Sequence, residues 1–113
     1  MNPRKYDGLI TKDVLFHIPP RDLERVIKNF KNILKEGGRF CIILDIPKTT
    51  GEQVLVEELD DRFKIYYNYM SVEYVKEILV KSGFKIEDVS LYDYTGDISS
   101  YATGVMVVHG VNK

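Results

Sequence analysis

Residues 34–44, Leu-Lys-Glu-Gly-Gly-Arg-Phe-Cys-Ile-Ile-Leu, decide the fold of this chain. The glycine pair Gly37-Gly38 follows a helical pattern and permits a left-handed cap at the helix end. The nearly continuous apolar run from Arg39 to Leu44 is typical of a strand that is covered on both faces. Helix, glycine turn and buried strand in succession predict an α/β layer fold.

Upstream of this stretch, the pattern predicts a strand and a helix. Apolar residues at helical spacing between charged ones predict an amphipathic helix over residues 21–35. It begins after Pro19-Pro20, since proline is favoured in the first turn of a helix. Before it, Tyr6–Ile10 is predicted as a short strand that leads into a loop.

Downstream, the chain continues with helical and then strand-like segments. Glu52–Leu59 is predicted as a short helix. Ser71 is a good N-cap for a further helix, which Gly83 ends. The final segments are Phe84–Tyr94, a strand with an irregularity at Glu87-Asp88, and a last strand over Gly104–His109.

The predicted order is therefore strand, helix, strand, helix, strand, strand, in one domain spanning residues 1–113. The first three strands are joined through helices and are expected to be parallel. The last two are joined by a loop, which predicts an antiparallel hairpin.

Composition narrows the classes of function. The chain has 16 Lys plus Arg against 17 Asp plus Glu, a net charge of −1, so there is no electrostatic case for nucleic acid. No segment resembles a signal peptide or a membrane span, and with Cys41 as the only cysteine we expect a cytoplasmic protein. His17 and His109 with one cysteine make no recognisable metal motif.

Three segments carry a resemblance to a known family: Tyr6–Pro19, Leu34–Phe40 and Met70–Ile86. In this order and spacing they resemble the C-terminal half of the class I S-adenosylmethionine-dependent methyltransferases, from the fourth strand onward. The resemblance implies a partial Rossmann-like α/β fold. Its half-sheet is expected to have the order 4-5-7-6 with helices on both faces and a C-terminal antiparallel hairpin.

The cofactor-binding half of that family has no counterpart in this sequence. The family's glycine-rich turn follows its first strand, and an acidic residue follows its second, whereas Tyr6 already corresponds to the fourth. No Gly-x-Gly pattern occurs in the chain. The resemblance implies S-adenosylmethionine as the cofactor. Because the glycine-rich motif is absent, we expect the isolated chain to be inactive and unable to bind it alone.

The resemblance places the methionine end of the cofactor and the methyl acceptor just beyond the first strand. Thr11 and Lys12 are then candidates for cofactor binding. Asp13 could orient or deprotonate the acceptor, and His17 could act as a general base. Two simpler interpretations remain: Asp13 caps local backbone donors, and His17 packs before Pro19.

Four residues are candidates for substrate binding. Asp45 follows the second predicted strand and would face the cleft, or it is an ordinary loop residue. Tyr66, Tyr67 and Tyr69 lie where relatives place a substrate lid and could shape an apolar acceptor pocket. Core packing against the sheet explains the tyrosines equally well.

Two hypotheses of function remain open. In the first, the chain is half of a split or truncated methyltransferase that a separately encoded N-terminal half completes, or whose own dimer builds a new cofactor cleft. Alternatively, it is a non-catalytic dimerisation or interaction module derived from one. A half-sheet leaves Tyr6–Ile10 as an unpaired edge, so we expect a homodimer through that strand unless an N-terminal half covers it.

Overall fold

The structure is a computed structural model, and it describes residues 5–12, 14–56, 64–95 and 102–113. In chain order the elements are strand β1 (Tyr6–Lys12), a 3₁₀ helix (Leu15–His17), helix α1 (Pro20–Ile33), strands β2 (Leu34–Pro47), β3 (Gly51–Val56) and β4 (Lys64–Tyr69), helix α2 (Val72–Lys81), and strands β5 (Phe84–Asp93) and β6 (Ala102–Asn112).

A mixed sheet of four strands forms the main layer, in the order β1-β2-β6-β5. β1 and β2 are parallel, and β6 runs antiparallel to both of its neighbours. β1, β2 and β5 therefore share one direction, and the last two strands are antiparallel, as predicted. The irregularity predicted at Glu87-Asp88 is confirmed by a register shift between Ile86 and Asp88. The predicted α/β class is thus confirmed.

Both helices pack on the same face of this sheet. Leu23 and Ile27 of α1, with Val75 of α2, join one buried cluster with Ile42 of β2 and Met106 of β6. The helices lie side by side, because Nζ of Lys81 in α2 is 3.9 Å from Oε2 of Glu24 in α1. The expectation of helices on both faces is therefore wrong for the described residues.

The other face of the sheet has no helix over it among the described residues. We call it the open face, and its central residues are only partly buried: Cys41, Ile43, Asp45, Val105, Val107 and His109. β2 carries apolar side chains on both sides, a pattern typical of a strand with both faces covered. The pattern does not identify the group that covers the open face.

The glycine pair at positions 37 and 38 lies inside β2 and does not cap α1. The helix ends at Ile33, and Leu34 is already extended, with φ −87° and ψ 140°. Gly37 has a φ of 79° within an irregular stretch, where the pairing passes from Tyr6↔Leu34 to Gly8↔Arg39. The predicted cap is wrong: the side-chain amide of Asn112 instead donates to the carbonyl oxygens of Lys31, in the last turn of α1, and of Leu34, the C-cap residue.

The helix predicted over Glu52–Leu59 is also wrong. Residues 51–56 form β3, which pairs antiparallel with β4 in a second, two-stranded sheet. The remainder of that predicted helix lies outside the described residues. The run Val54-Leu55-Val56 lies opposite Lys64-Ile65-Tyr66, and β-branched and aromatic residues favour strands.

The second helix follows the prediction closely. The hydroxyl of Ser71 accepts a hydrogen bond from the backbone nitrogen of Tyr74 at 3.1 Å, so Ser71 is the N-cap. Gly83, with a φ of 96°, follows the helix end and donates to the carbonyl of Val80. Across the part of the chain that the structure describes, no helix has the length and apolar character needed to cross a membrane.

Candidate functional site

The parallel strands β1 and β2 lie side by side, and three of the candidate residues lie near their carboxyl ends. Lys12, the last residue of β1, pairs with Ile43, and β2 continues to Pro47. Ligands of open α/β sheets bind outside the carboxyl ends of the parallel strands. Thr11, Lys12 and Asp45 therefore lie where a ligand of such a sheet is expected.

Thr11 and Lys12 point to opposite faces of the sheet. Thr11 pairs with the buried Ile42 and is itself 8% exposed, so its side chain lies on the helix-covered face. Its hydroxyl oxygen is buried and has no hydrogen-bond partner among the described residues. Lys12 pairs with Ile43, and its exposed side chain belongs to the open face. A buried polar atom without a partner is uncommon in a native protein, and it is a reason to look for a ligand near Thr11.

Asp45 makes a contact that the sequence did not predict. The Tyr94 hydroxyl donates a hydrogen bond of 2.7 Å to Oδ1 of Asp45. Asp45 pairs with Val105 on the open face, so Tyr94 reaches from the end of β5 across β6 to β2. The contact fixes the Asp45 carboxylate at the carboxyl end of β2, and one of its oxygens is already occupied.

The two catalytic candidates are placed differently. Asp13 lies outside the described residues. His17 is the last residue of the 3₁₀ helix and is exposed, with its ring centroid 4.5 Å from that of Phe16. If His17 has only a packing role, the Phe16 ring is a neighbour that it packs against.

Tyr69 lines a cleft of about 350 Å³ between the start of α1 and the start of α2. We call it the Asn68 cleft; six of its lining residues are Pro20, Thr50, Asn68, Tyr69, Met70 and Tyr74. Tyr66 and Tyr67 belong to β4, where their backbones pair with Val54 and Gln53, and their side chains lie outside the described part. The substrate-binding candidates are therefore not gathered at one place: Asp45 is on the open face and Tyr69 in this cleft.

Asn68 and Tyr94 were missed by the sequence analysis. Asn68 is 5% exposed, and its amide nitrogen lies 3.5 Å from the carbonyl oxygen of Ile18. A sequence signal existed for Asn68, because asparagine is depleted in strands and here interrupts a run of tyrosines. Tyr94 offered none, since its partner Asp45 is 49 residues away. No group of three potential metal ligands occurs among the described residues.

Comparison with known proteins gives structural likeness alone. No protein-family model and no curated protein matches the sequence. An S-adenosylmethionine-dependent methyltransferase from Methanosarcina mazei is similar to this chain with a TM-score of 0.74 and 12% identity, over 96% of this chain and 61% of that one. An S-adenosylmethionine-dependent methyltransferase from Mesorhizobium loti is similar with a TM-score of 0.68 and 13% identity, over 96% of this chain and 64% of that one.

A third similar structure is the 1,6-didemethyltoxoflavin-N1-methyltransferase of Burkholderia thailandensis with bound 1,6-didemethyltoxoflavin and S-adenosylhomocysteine. Its TM-score is 0.70 at 14% identity, over 96% of this chain and 44% of that one. The described sheet and helices thus form part of the fold of S-adenosylmethionine-dependent methyltransferases. The chain spans between 44% and 64% of the length of these three structures.

The described residues fit S-adenosylmethionine only as part of a site. The Thr11 hydroxyl, which lacks a hydrogen-bond partner in the part of the chain that the structure describes, is a group that a ligand could satisfy. Against this, Thr11 and Lys12 face opposite sides of the sheet, and Asp45 is engaged by Tyr94. No sequence segment supplies the glycine-rich turn that would approach such a cofactor. No chemical step through the cofactor is therefore assigned to these residues.

Proposed function

We propose that this chain is the C-terminal part of an S-adenosylmethionine-dependent methyltransferase, and that it binds the cofactor only when the rest of the fold is supplied. The observation that carries the proposal is the open face of the sheet. Partly exposed Cys41, Ile43 and Val107 lie at its centre, and a groove of about 440 Å³ crosses it between β1, β2 and β6. Apolar surface of this kind marks an interaction site.

The length of the similar structures supports one occupant for this face. Each of the three contains nearly all of the present fold and a further part that this chain does not match. β1 and β2 are parallel, and parallel strands usually have both faces covered, because their connections place helices there. We therefore assign the open face to a polypeptide of methyltransferase N-terminal type, on the same chain or separately encoded.

The topology agrees with this assignment. The resemblance gives the expected order 4-5-7-6, and the observed order β1-β2-β6-β5 corresponds to it strand for strand. This correspondence supports the proposal of a Rossmann-like half-sheet that begins at the family's fourth strand, in which β1 would lie next to the strands of the N-terminal part.

In the completed protein, the cofactor would supply an electrophilic methyl group. Thr11 and Lys12 would bind the cofactor, and Asp13 and His17 would orient the acceptor or accept its proton. The candidates for acceptor binding are Asp45 on the open face, Tyr69 in the Asn68 cleft, and Tyr66 and Tyr67 on β4. Much of the rate of such a transfer can come from positioning alone, and these residues would provide it from several elements.

A second candidate function is a non-catalytic module that dimerises through β1. The observation favouring it is the exposure of the outer strand, where Tyr6 is 54% and Ile10 69% exposed. An exposed apolar edge strand is a template for pairing with a second copy. In this case the homodimer itself would cover the edge.

Calorimetric titration of S-adenosylmethionine into the purified chain tests the first proposal. We expect no saturable binding to the chain alone, and saturable binding once an N-terminal part is joined to it. Binding by the chain alone, weakened in Asp13→Ala, would show that this part builds a site without completion.

Light scattering on the same sample tests the second candidate. A dimer that dissociates in Ile10→Lys and persists in Val80→Lys would support it, because Val80 is a comparably exposed apolar residue, 57%, on α2 rather than at the edge. A monomer at all concentrations would exclude it.

A further inference from the structure

The Asn68 cleft lies at the junction of three chain connections. Pro20 begins α1 after the connection from β1, Thr50 lies between β2 and β3, and Asn68 and Tyr69 end β4 just before α2. The volume of about 350 Å³ is within the range of small-molecule pockets, roughly 300–1,000 Å³. The cleft is therefore large enough for one small ring compound and too small for a folded partner.

The described residues that line the cleft are all uncharged. Moving an ionised group from water into such a site is costly unless a counter-charge pairs with it. The cleft thus favours a neutral ligand over an acid or an amine of the same shape.

Its walls favour a flat ligand. Tyr69 and Met70 are 6% and 5% exposed, so they are held firmly by the surrounding structure, and Tyr74, 38% exposed, stands at the mouth. Aromatic rings pack on other rings in offset or edge-on arrangements, and the methionine thioether also contacts rings favourably.

Asn68 supplies the polar contact. A side-chain amide has two donor hydrogens and one acceptor oxygen, and the described contact of this one is the long nitrogen contact to Ile18. The residue is 5% exposed, and the oxygen of its amide can accept a hydrogen bond. The remaining acceptor capacity suits a ligand that donates a hydrogen bond.

We propose that the Asn68 cleft binds a small, uncharged, planar ring compound that donates a hydrogen bond from an N–H or O–H group to Asn68. Binding in the cleft requires neither the cofactor nor the rest of the fold. Only the further statement that this compound is the methyl acceptor rests on the proposed function.

The test is a nuclear magnetic resonance titration of the full chain with benzamide, benzoate and benzylamine, which share one ring and differ in charge. We expect saturable shifts at the backbone amides of Asn68, Ser71 and Tyr74 with benzamide, and at least about tenfold weaker binding of the two charged compounds. Equal binding of benzoate, or no binding of any of the three, would overturn the proposal.

Two variants test separately the contribution of the Asn68 hydrogen bond and that of the aromatic wall to benzamide binding. Asn68→Leu should weaken benzamide binding by roughly tenfold, and Asn32→Leu, on the exposed surface of α1, should leave it unchanged. Should Asn68→Leu fail to fold, Tyr74→Ala decides, with an expected severalfold loss. Unchanged affinity in the folded variant would overturn the proposal. Because no cofactor is present, this result is independent of the S-adenosylmethionine titration.

Discussion

Nζ of Lys31 donates a 2.8 Å hydrogen bond to Oδ1 of Asn112 and thereby joins the last turn of α1 to the end of β6. In return, the amide nitrogen of Asn112 donates to the carbonyl oxygens of Lys31, Leu34 and Lys35, at 3.1, 3.2 and 3.4 Å. The last carbonyls of a helix need such partners. One side chain from 81 residues away thus ends α1 and fixes it to the sheet.

Asn112→Ala should lower the free energy of unfolding by about 2 kcal/mol, because it leaves one buried and two partly buried backbone carbonyls without this donor. Urea denaturation measures the change. Asn29→Ala, at an exposed position of α1, is the matched control and should be neutral or slightly stabilising. Equal stability of the two variants would show that water replaces the Asn112 amide at no cost.

Gly110→Ala should destabilise the sheet by about 3 kcal/mol, since an added methyl group would overlap the carbonyl oxygen of Lys85 in β5. Gly8→Ala is the control: its nearest contact would be the Arg39 carbonyl oxygen at 3.7 Å, an ordinary distance. Thermal unfolding of both variants gives the comparison. A Gly110→Ala protein as stable as Gly8→Ala would mean that β5 and β6 separate easily.

Ser71→Ala should cost about 1 kcal/mol, because the backbone nitrogen of Tyr74 loses its acceptor. Ser71→Asp should restore most of the loss, since its carboxylate caps the same donor and interacts favourably with the helix dipole. Chemical denaturation of the three proteins is sufficient. An aspartate variant as unstable as the alanine variant would contradict the capping role.

Tyr94→Phe should lower stability by about 1 kcal/mol through loss of the hydrogen bond to Asp45. Tyr92→Phe is the control, because Tyr92 is 60% exposed two positions earlier on β5. Differential scanning calorimetry compares the two. If both variants have the melting temperature of the wild type, water replaces the Tyr94 hydroxyl at the Asp45 carboxylate without loss of stability.

Cys41 reports on the open face, because it is partly exposed there and is the only thiol in the chain. We expect maleimide to label it in the folded chain at a rate that does not change with protein concentration. Mass spectrometry follows the reaction, and the chain in urea gives the upper limit of the rate. Labelling that slows as concentration rises would show that copies of the chain cover this face instead.

Sequence patterns correctly predicted those elements whose ends are set by residues close in sequence. Ser71 and Gly83 bracket α2, and their short-range hydrogen bonds are readable from sequence. The cap at Gly37-Gly38 was mispredicted because Asn112, remote in sequence, performs that task. The β3–β4 hairpin was mispredicted because Gln53-Val54-Leu55-Val56 becomes a strand through pairing with β4, and pairing partners are not visible in one segment.

In the candidate site, too, the sequence predicted the location of residues along the chain but not their tertiary contacts. The resemblance located the carboxyl ends of β1 and β2, where Thr11, Lys12 and Asp45 lie. It did not predict which face each side chain occupies, because that depends on the register between strands. Asn68 and Tyr94 entered the site only through tertiary contacts.

The position of β6 has a consequence for folding. It is the last strand in sequence, yet it lies between β2 and β5, which otherwise have no contact in the sheet order. Until residues 102–112 insert, β5 has no neighbour and β2 has only β1. The sheet must therefore close through pairings between residues far apart in sequence, such as Arg39 with Val111, and such closure is slow. During synthesis, the edges of β2 and β5 therefore stay unpaired until β6, the last strand to be made, inserts between them.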